Sequence, residues 1–174
     1  MELLVIAILA LVVGLVLRYF FDVSIKQIKE LAQKPDLDKI VEKYPNNQQV
    51  AQEILKKLNN EKVKIEENEN AESSLYVAIS DKIFIGNIQK SYTRIQTIAH
   101  ECLHSVQSRK LLLFNFIFSN FYLLYFVLIA LLGILKILPF EMTFLVSFVL
   151  IGMLFYVVRN YLENDAMIKA RFLA

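Results

Sequence analysis

Both histidines of this 174-residue chain fall in one pentapeptide, His100-Glu101-Cys102-Leu103-His104. Positions four apart on a helix share a face, so two imidazoles at that spacing can grip one metal ion. Glu101 sits one step round the helix and can face a water on that ion. Two histidine ligands, a glutamate base and a third ligand from elsewhere form the zincin arrangement. The flanks suit a helix. No proline or glycine lies between Thr93 and Lys110, and Ile95, Ile98, Cys102 and Val106 recur at helical spacing. That stripe is expected to bury one side while the histidines face a cleft. An ordinary amphipathic helix with two polar residues on its wet face is the plainer alternative, but chance pentapeptides rarely come with such uncharged neighbours.

Several of the elements that must position this motif read as membrane helices. Hydrophobic residues make up 56% of the chain and the mean hydropathy is +0.47. They concentrate in three blocks, at residues 3–17 (continuing into Tyr19-Phe20-Phe21 after Arg18), 111–135 and 140–158. Each can cross about 30 Å of hydrocarbon as a helix. Met1-Glu2 offers no basic leader, so the first block reads as an anchor and not as a cleavable signal. The expected order is an N-terminal transmembrane anchor over 1–21, a domain over 22–110, transmembrane helices over 111–135 and 140–160, and a tail over 161–174.

Charge assigns the sides. Of nineteen Lys and Arg residues, fifteen lie in 18–110 and three in 159–171, with only Lys136 in the turn between the last two blocks. The positive-inside rule then puts the domain and the tail in the cytoplasm, on a multi-pass protein of the cell membrane. A net charge of +2 argues against a nucleic-acid surface. The single cysteine cannot form an internal disulfide, which suits a reducing compartment. Two residues from each histidine, Cys102 points to the opposite helix face, as a small buried residue and not a ligand.

The domain has about ninety residues, enough for one small core. Ile25, Ile28, Leu31 and Ala32 predict a helix ended by Pro35; Leu37, Ile40, Val41 and Tyr44 predict another ended by Pro45. Asn46 or Asn47 can cap a third, carrying Val50, Ala51, Ile54, Leu55 and Leu58. Extended pieces follow at 62–66 and 75–85, with an acidic turn over 66–74, and then the motif helix. The predicted class is α+β: a small zincin-like cytoplasmic domain with about three transmembrane helices.

A catalytic zinc needs a third protein ligand and an open position for water. No histidine remains, so a carboxylate on the same side of the membrane must serve. Two spans after His104 the chain returns to that side with Glu163 and Asp165, the only carboxylates of the tail. Either can be a ligand, or an interfacial acid paired with Arg159, Lys169 or Arg171.

At this point the chain resembles the membrane-bound neutral zinc metallopeptidases of the YugP type, which carry His-Glu-x-x-His-x-x-Gln and a late Glu-x-x-Ala-x-x-x-Ala. Here these read His100-Glu101-Cys102-Leu103-His104-Ser105-Val106-Gln107 and Glu163-Asn164-Asp165-Ala166-Met167-Ile168-Lys169-Ala170. The likeness covers 46–109 and 161–171. Leu103 stands where those proteins usually carry glycine. Met167 stands where related membrane zincins place an aspartate behind the metal, with Asp165 as its candidate substitute. The resemblance implies that Glu163 is the third zinc ligand, in a gluzincin-like site, with Gln107 and Asp165 as candidate partners behind the ligands.

The expected function is therefore a membrane-anchored zinc metalloendopeptidase. Zn2+ would sit on His100, His104 and Glu163, with Glu101 as the general base. The expected partners are the lipid bilayer and a protein or peptide substrate, without nucleic acid; the oligomeric state stays open. By analogy with other zincins, residues 75–85 would offer a sheet edge to an extended substrate. The alternative from another class is a catalytically silent zinc-binding scaffold in the membrane. An intramembrane protease is disfavoured because Arg94, Gln96, Gln107 and Arg109 make the motif helix too polar. A di-iron protein would need a second Glu-x-x-His.

Overall fold

Asn46 starts the first complete helix, α1 (Asn47–Lys57): its side chain accepts a hydrogen bond from the Gln49 N–H at 2.8 Å, while its own backbone stays extended. Such a cap contributes about 1 kcal/mol. A Schellman turn ends the helix. Asn59 takes a left-handed φ of 54°, and the Asn59 and Asn60 N–H groups donate to the Lys56 and Leu55 carbonyls. In this computed structural model the described residues are 39–71, 73–137 and 141–174, preceded by isolated helical residues at 12, 15, 16, 18 and 19. Apart from those, the predicted N-terminal anchor and the helix predicted before Pro35 lie outside the described residues. Of the next predicted helix, residues 39–41 are helical.

Three short strands follow, β1 (Lys64–Glu67), β2 (Leu75–Val77) and β3 (Lys82–Ile85), in the order β1-β3-β2. β1 runs parallel to β3 with Ile65 beside Ile83; β2 runs antiparallel with Tyr76 beside Ile83. The single extended piece expected over 75–85 is thus a hairpin. The chain reverses over 78–81 without a glycine because Asp81 adopts φ 52°, which a short polar side chain tolerates. The Tyr76 hydroxyl donates to Asp81 Oδ1 at 2.8 Å and pins that turn. Gly86 is needed where it stands, since a Cβ there would sit 2.7 Å from the Ala71 and Ser73 carbonyl oxygens.

Helix α2 (Arg94–His104) packs on this sheet and on α1. Val50, Ala51, Ile54, Leu55, Val63, Ile83, Ile85, Ile98, Ala99, Cys102 and Leu103 form the core, and Ala166 and Ala170 join it from the far end of the chain. Val106, expected in the buried stripe, falls past the end of α2 and is exposed. Arg94 is fully buried at the start of α2. Its guanidinium donates to the carbonyls of Val41, Tyr44 and Pro45 and to Asn47 Oδ1, tying the turn before α1 to the motif helix.

Helices α3 (Arg109–Ile134) and α4 (Glu141–Leu173) are each long and apolar enough to cross a membrane. They pair through Tyr125 Oη and Ser147 Oγ at 2.6 Å and through Tyr122 stacked on Phe148. At Gly152 a Cβ would meet the Tyr122 hydroxyl at 2.5 Å, so a bare backbone lets the helices cross closely. The expected third span and tail are one helix. Its 33 residues extend about 50 Å, and its last turns pack against the α+β domain.

Candidate metal centre

α2 supplies His100 and His104, and α4 supplies Glu163. Along α4 the residues Leu162, Ala166 and Ala170, four apart, are buried towards the core. Two alanines let the helices approach closely. Glu163 and Asp165 flank this stripe on opposite sides, because two residues turn the helix by about 200°. The flanks reach different parts of α2: Glu163 meets the two histidines, and Asp165 meets Gln107.

The distances suit a small cation. His100 Nε2 and His104 Nε2 lie 3.0 Å apart, and Glu163 Oε2 lies 3.2 Å from the first and 3.8 Å from the second. A tetrahedral centre with bonds of about 2.0–2.1 Å has edges of about 3.3 Å, which these three distances bracket. Together the three side chains could hold a metal ion. Burial, and then the nearby His104 charge, lower the His100 pKa against the opposing pull of Glu163. A neutral imidazole keeps the lone pair that a metal needs.

Hydrogen bonds behind the histidine set its tautomer. Gln107 Nε2 donates to the Leu162 carbonyl at 2.8 Å and to Asp165 Oδ2 at 2.9 Å. Its Oε1 is therefore the atom 2.8 Å from His104 Nδ1, which must carry the proton. Nε2 is left free to face Glu163 and His100. Lys169 Nζ closes the chain on Asp165 Oδ1 at 2.6 Å. The hydrogen bonds from Lys169 and then Gln107 hold the Asp165 carboxyl below its ordinary value.

Glu101 is buried, and its Oε2 accepts the Tyr76 N–H of β2 at 2.6 Å. Burial pushes its pKa to about 7, against that hydrogen bond and with a smaller contribution from the Glu163 charge. Cys102 faces the core, where burial and then the Glu101 charge push its thiol to about 12, too high for a ready ligand. A cavity of about 310 Å³ opens on His100, Glu101, His104 and Glu163, walled by β2 with its turn and by α3.

The residues singled out by sequence, His100, Glu101, His104, Gln107, Glu163 and Asp165, thus stand in one constellation. Sequence reasoning missed the Tyr76 N–H, a backbone group with no side-chain signature, and the structural role of Arg94; the pairing of a tail acid with Lys169, one of its alternatives, is present at Asp165. It also missed Asn60, whose amide donates to the Ser105 carbonyl and hydroxyl and ties the end of α1 to the end of α2. No family model, curated protein or solved structure matches the chain.

Proposed function

We propose that this chain is a membrane-anchored zinc metallopeptidase of zincin-like, gluzincin type, as the resemblance in its two motifs implies. What supports it most is the convergence of two imidazoles and a distant carboxylate beside a buried glutamate, all on one cavity. His100, His104 and Glu163 hold the ion. When bound, zinc supplies Lewis acidity that activates water and polarises a carbonyl. Glu101 takes the attacking water's proton; a carboxyl poised near 7 can accept and release it at neutral pH. The water oxygen bonds to the scissile carbonyl carbon, the C–N bond breaks, and the proton held by Glu101 passes to the leaving amine. The Tyr76 N–H orients that carboxylate, and the edge of β2 receives an extended substrate. Gln107 and Asp165 keep His104 in its metal-binding tautomer.

The protein is multi-pass, with the apolar run at 3–17 as a further span. Arg109, Lys110 and Arg159 stand at the site's end of the α3–α4 hairpin, so the site faces the cytoplasm. In intact cells Asn68→Cys should resist an impermeant thiol reagent and Ile137→Cys should react. The reverse pattern would overturn this sidedness.

Detergent-purified protein should hold one zinc, lost in His104→Ala. Glu101→Gln should keep the metal while casein hydrolysis falls by orders of magnitude. Equal cleavage by the mutant would remove Glu101 from its role. A wild-type chain that binds zinc and cleaves nothing would favour the silent scaffold. The same donor set also suits iron(II); the buried Glu101 favours hydrolysis, and metal analysis separates the two.

A further inference from the structure

We propose, resting on the peptidase reading above, that the substrates are membrane-embedded polypeptides, cut in the extended segment next to their span. The path for that segment is on the structure. One wall of the site cavity is the β2 edge; the other is Leu112, Asn115, Phe116 and Ser119, at the i, i+3, i+4, i+7 spacing of a single face of α3.

That wall lies at the membrane boundary. Tyr122 meets α4 at Gly152, so seven residues further along each antiparallel helix Asn115 comes level with Arg159, the first cation after α4's apolar run. Phe116 and Ser119 lie at and below that level. On the other wall, Leu75 and Ile79 are more than half exposed, and Arg109 at the start of α3 donates to the Ile79 carbonyl at 3.4 Å. The strand edge therefore stands over the bilayer surface, and the cavity runs from water to lipid.

Asn115 says what fits there. Its Oδ1 is buried in the cavity wall without a hydrogen-bond donor among the described residues. An unpaired acceptor is costly, most of all near hydrocarbon, and marks a ligand contact. An acyl chain has no donor to offer it. An extended peptide presents backbone N–H groups, and the face from Leu112 to Ser119 is about 10 Å long, the reach of about three extended residues. A turn of the Asn115 side chain about its last torsion brings Oδ1 out of the wall to a substrate N–H, which sets where the cut falls relative to the span.

The test uses the full chain in lipid nanodiscs with a designed probe, a leucine-rich span of about 20 residues followed by an extended polar segment. A second probe separates span and segment by a flexible linker of about 20 residues, about 25 Å on average, and a third is the free segment. The expected result is cleavage of the first probe within about 3–6 residues of its span, with at least tenfold loss on the other two. Asn115→Leu should raise KM on the first probe about tenfold with kcat changed less, and Ser119→Trp should block it, both with zinc retained. Equal cleavage of all three probes, or no effect of either variant, overturns the proposal and leaves the peptidase reading standing. If nothing is cleaved, Ser119→Cys combined with Glu101→Gln decides. A disulfide to a cysteine next to the probe's span supports docking even though peptidase activity fails, since Cys102 is buried and silent. A disulfide absent, or blocked by lipid alone, ends it.

Discussion

In α2, seven of eleven residues are buried, while in α3 none of twenty-six is. The first helix is held by protein on most sides, through Ile98, Ala99, Cys102 and Leu103 in the core and Arg94 at its start. The second shows Phe116, Ile117, Phe121, Leu123 and Leu124 outward, an apolar surface compatible with a bilayer. α4 belongs to both regimes. Its first half shares the character of α3, and its last three turns bury Leu162, Ala166 and Ala170 against the core. The difference teaches that the candidate metal centre sits on a seam: the two histidines come from a helix positioned by the core, and Glu163 from a helix that only its last turns tie to that core.

The largest expected effect comes from emptying the α4 side of the seam. Glu163→Ala should cut zinc affinity by orders of magnitude and abolish hydrolysis, since one of three protein ligands is gone. Metal titration of the purified variant checks this. If zinc and activity survive, the seam is not a metal centre.

Prising the seam open should act similarly without touching a ligand. Ala166 is fully buried, so Ala166→Phe forces α4 away from α2 at a cost of about 1–3 kcal/mol. Zinc affinity should fall at least tenfold while circular dichroism keeps its helical signal. Unchanged affinity would mean that Glu163 reaches the histidines from a looser joint than the packing indicates.

Gln107→Leu should lower metal affinity about 10- to 100-fold by releasing the His104 tautomer, and Asp165→Ala should cost no more. If Asp165→Ala were the worse of the two, Asp165 would be acting as a ligand and not through Gln107.

Glu101 tests the α2 side. Its carboxyl titrates near 7 in the folded chain against 4.5 ordinarily. The folded state therefore holds an extra proton between those values, and stability falls as pH rises through that window. Metal-free Glu101→Gln should be more stable than wild type by about 1–3 kcal/mol at pH 8, the gap closing near pH 4. Thermal unfolding in detergent with chelator measures it; a pH-independent gap would show that burial does not set the Glu101 charge.

The smallest effect lies deep in the hairpin. Ser147→Ala removes the bond to Tyr125 and should cost about 0.6 kcal/mol, with zinc affinity unchanged. A loss of zinc there would mean that the seam feels the far turns of the hairpin.

Local chemistry was legible in the order of residues. His100 and His104 face one way because helical pitch dictates it, and Cys102 faces the core for the same reason. Asn46 caps α1, and the apolar blocks at 111–135 and 140–158 announce helices long and apolar enough to cross a bilayer. Each is a matter of near neighbours along the chain, where spacing alone fixes geometry. Which of Glu163 and Asp165 stands beside the histidines was open from residue types alone. It was decided by which flank of α4 meets which part of α2, and that follows from Ala166 and Ala170 packing into a core built from residues 50–103, far earlier in the chain. The hairpin in 75–85 and the Tyr76 N–H on Glu101 were equally hidden, because a turn made by Asp81 without glycine and a backbone donor leave little mark in the sequence. Contacts between distant segments depend on how several faces pack at once, and only the tertiary structure decides among packings that the pattern permits.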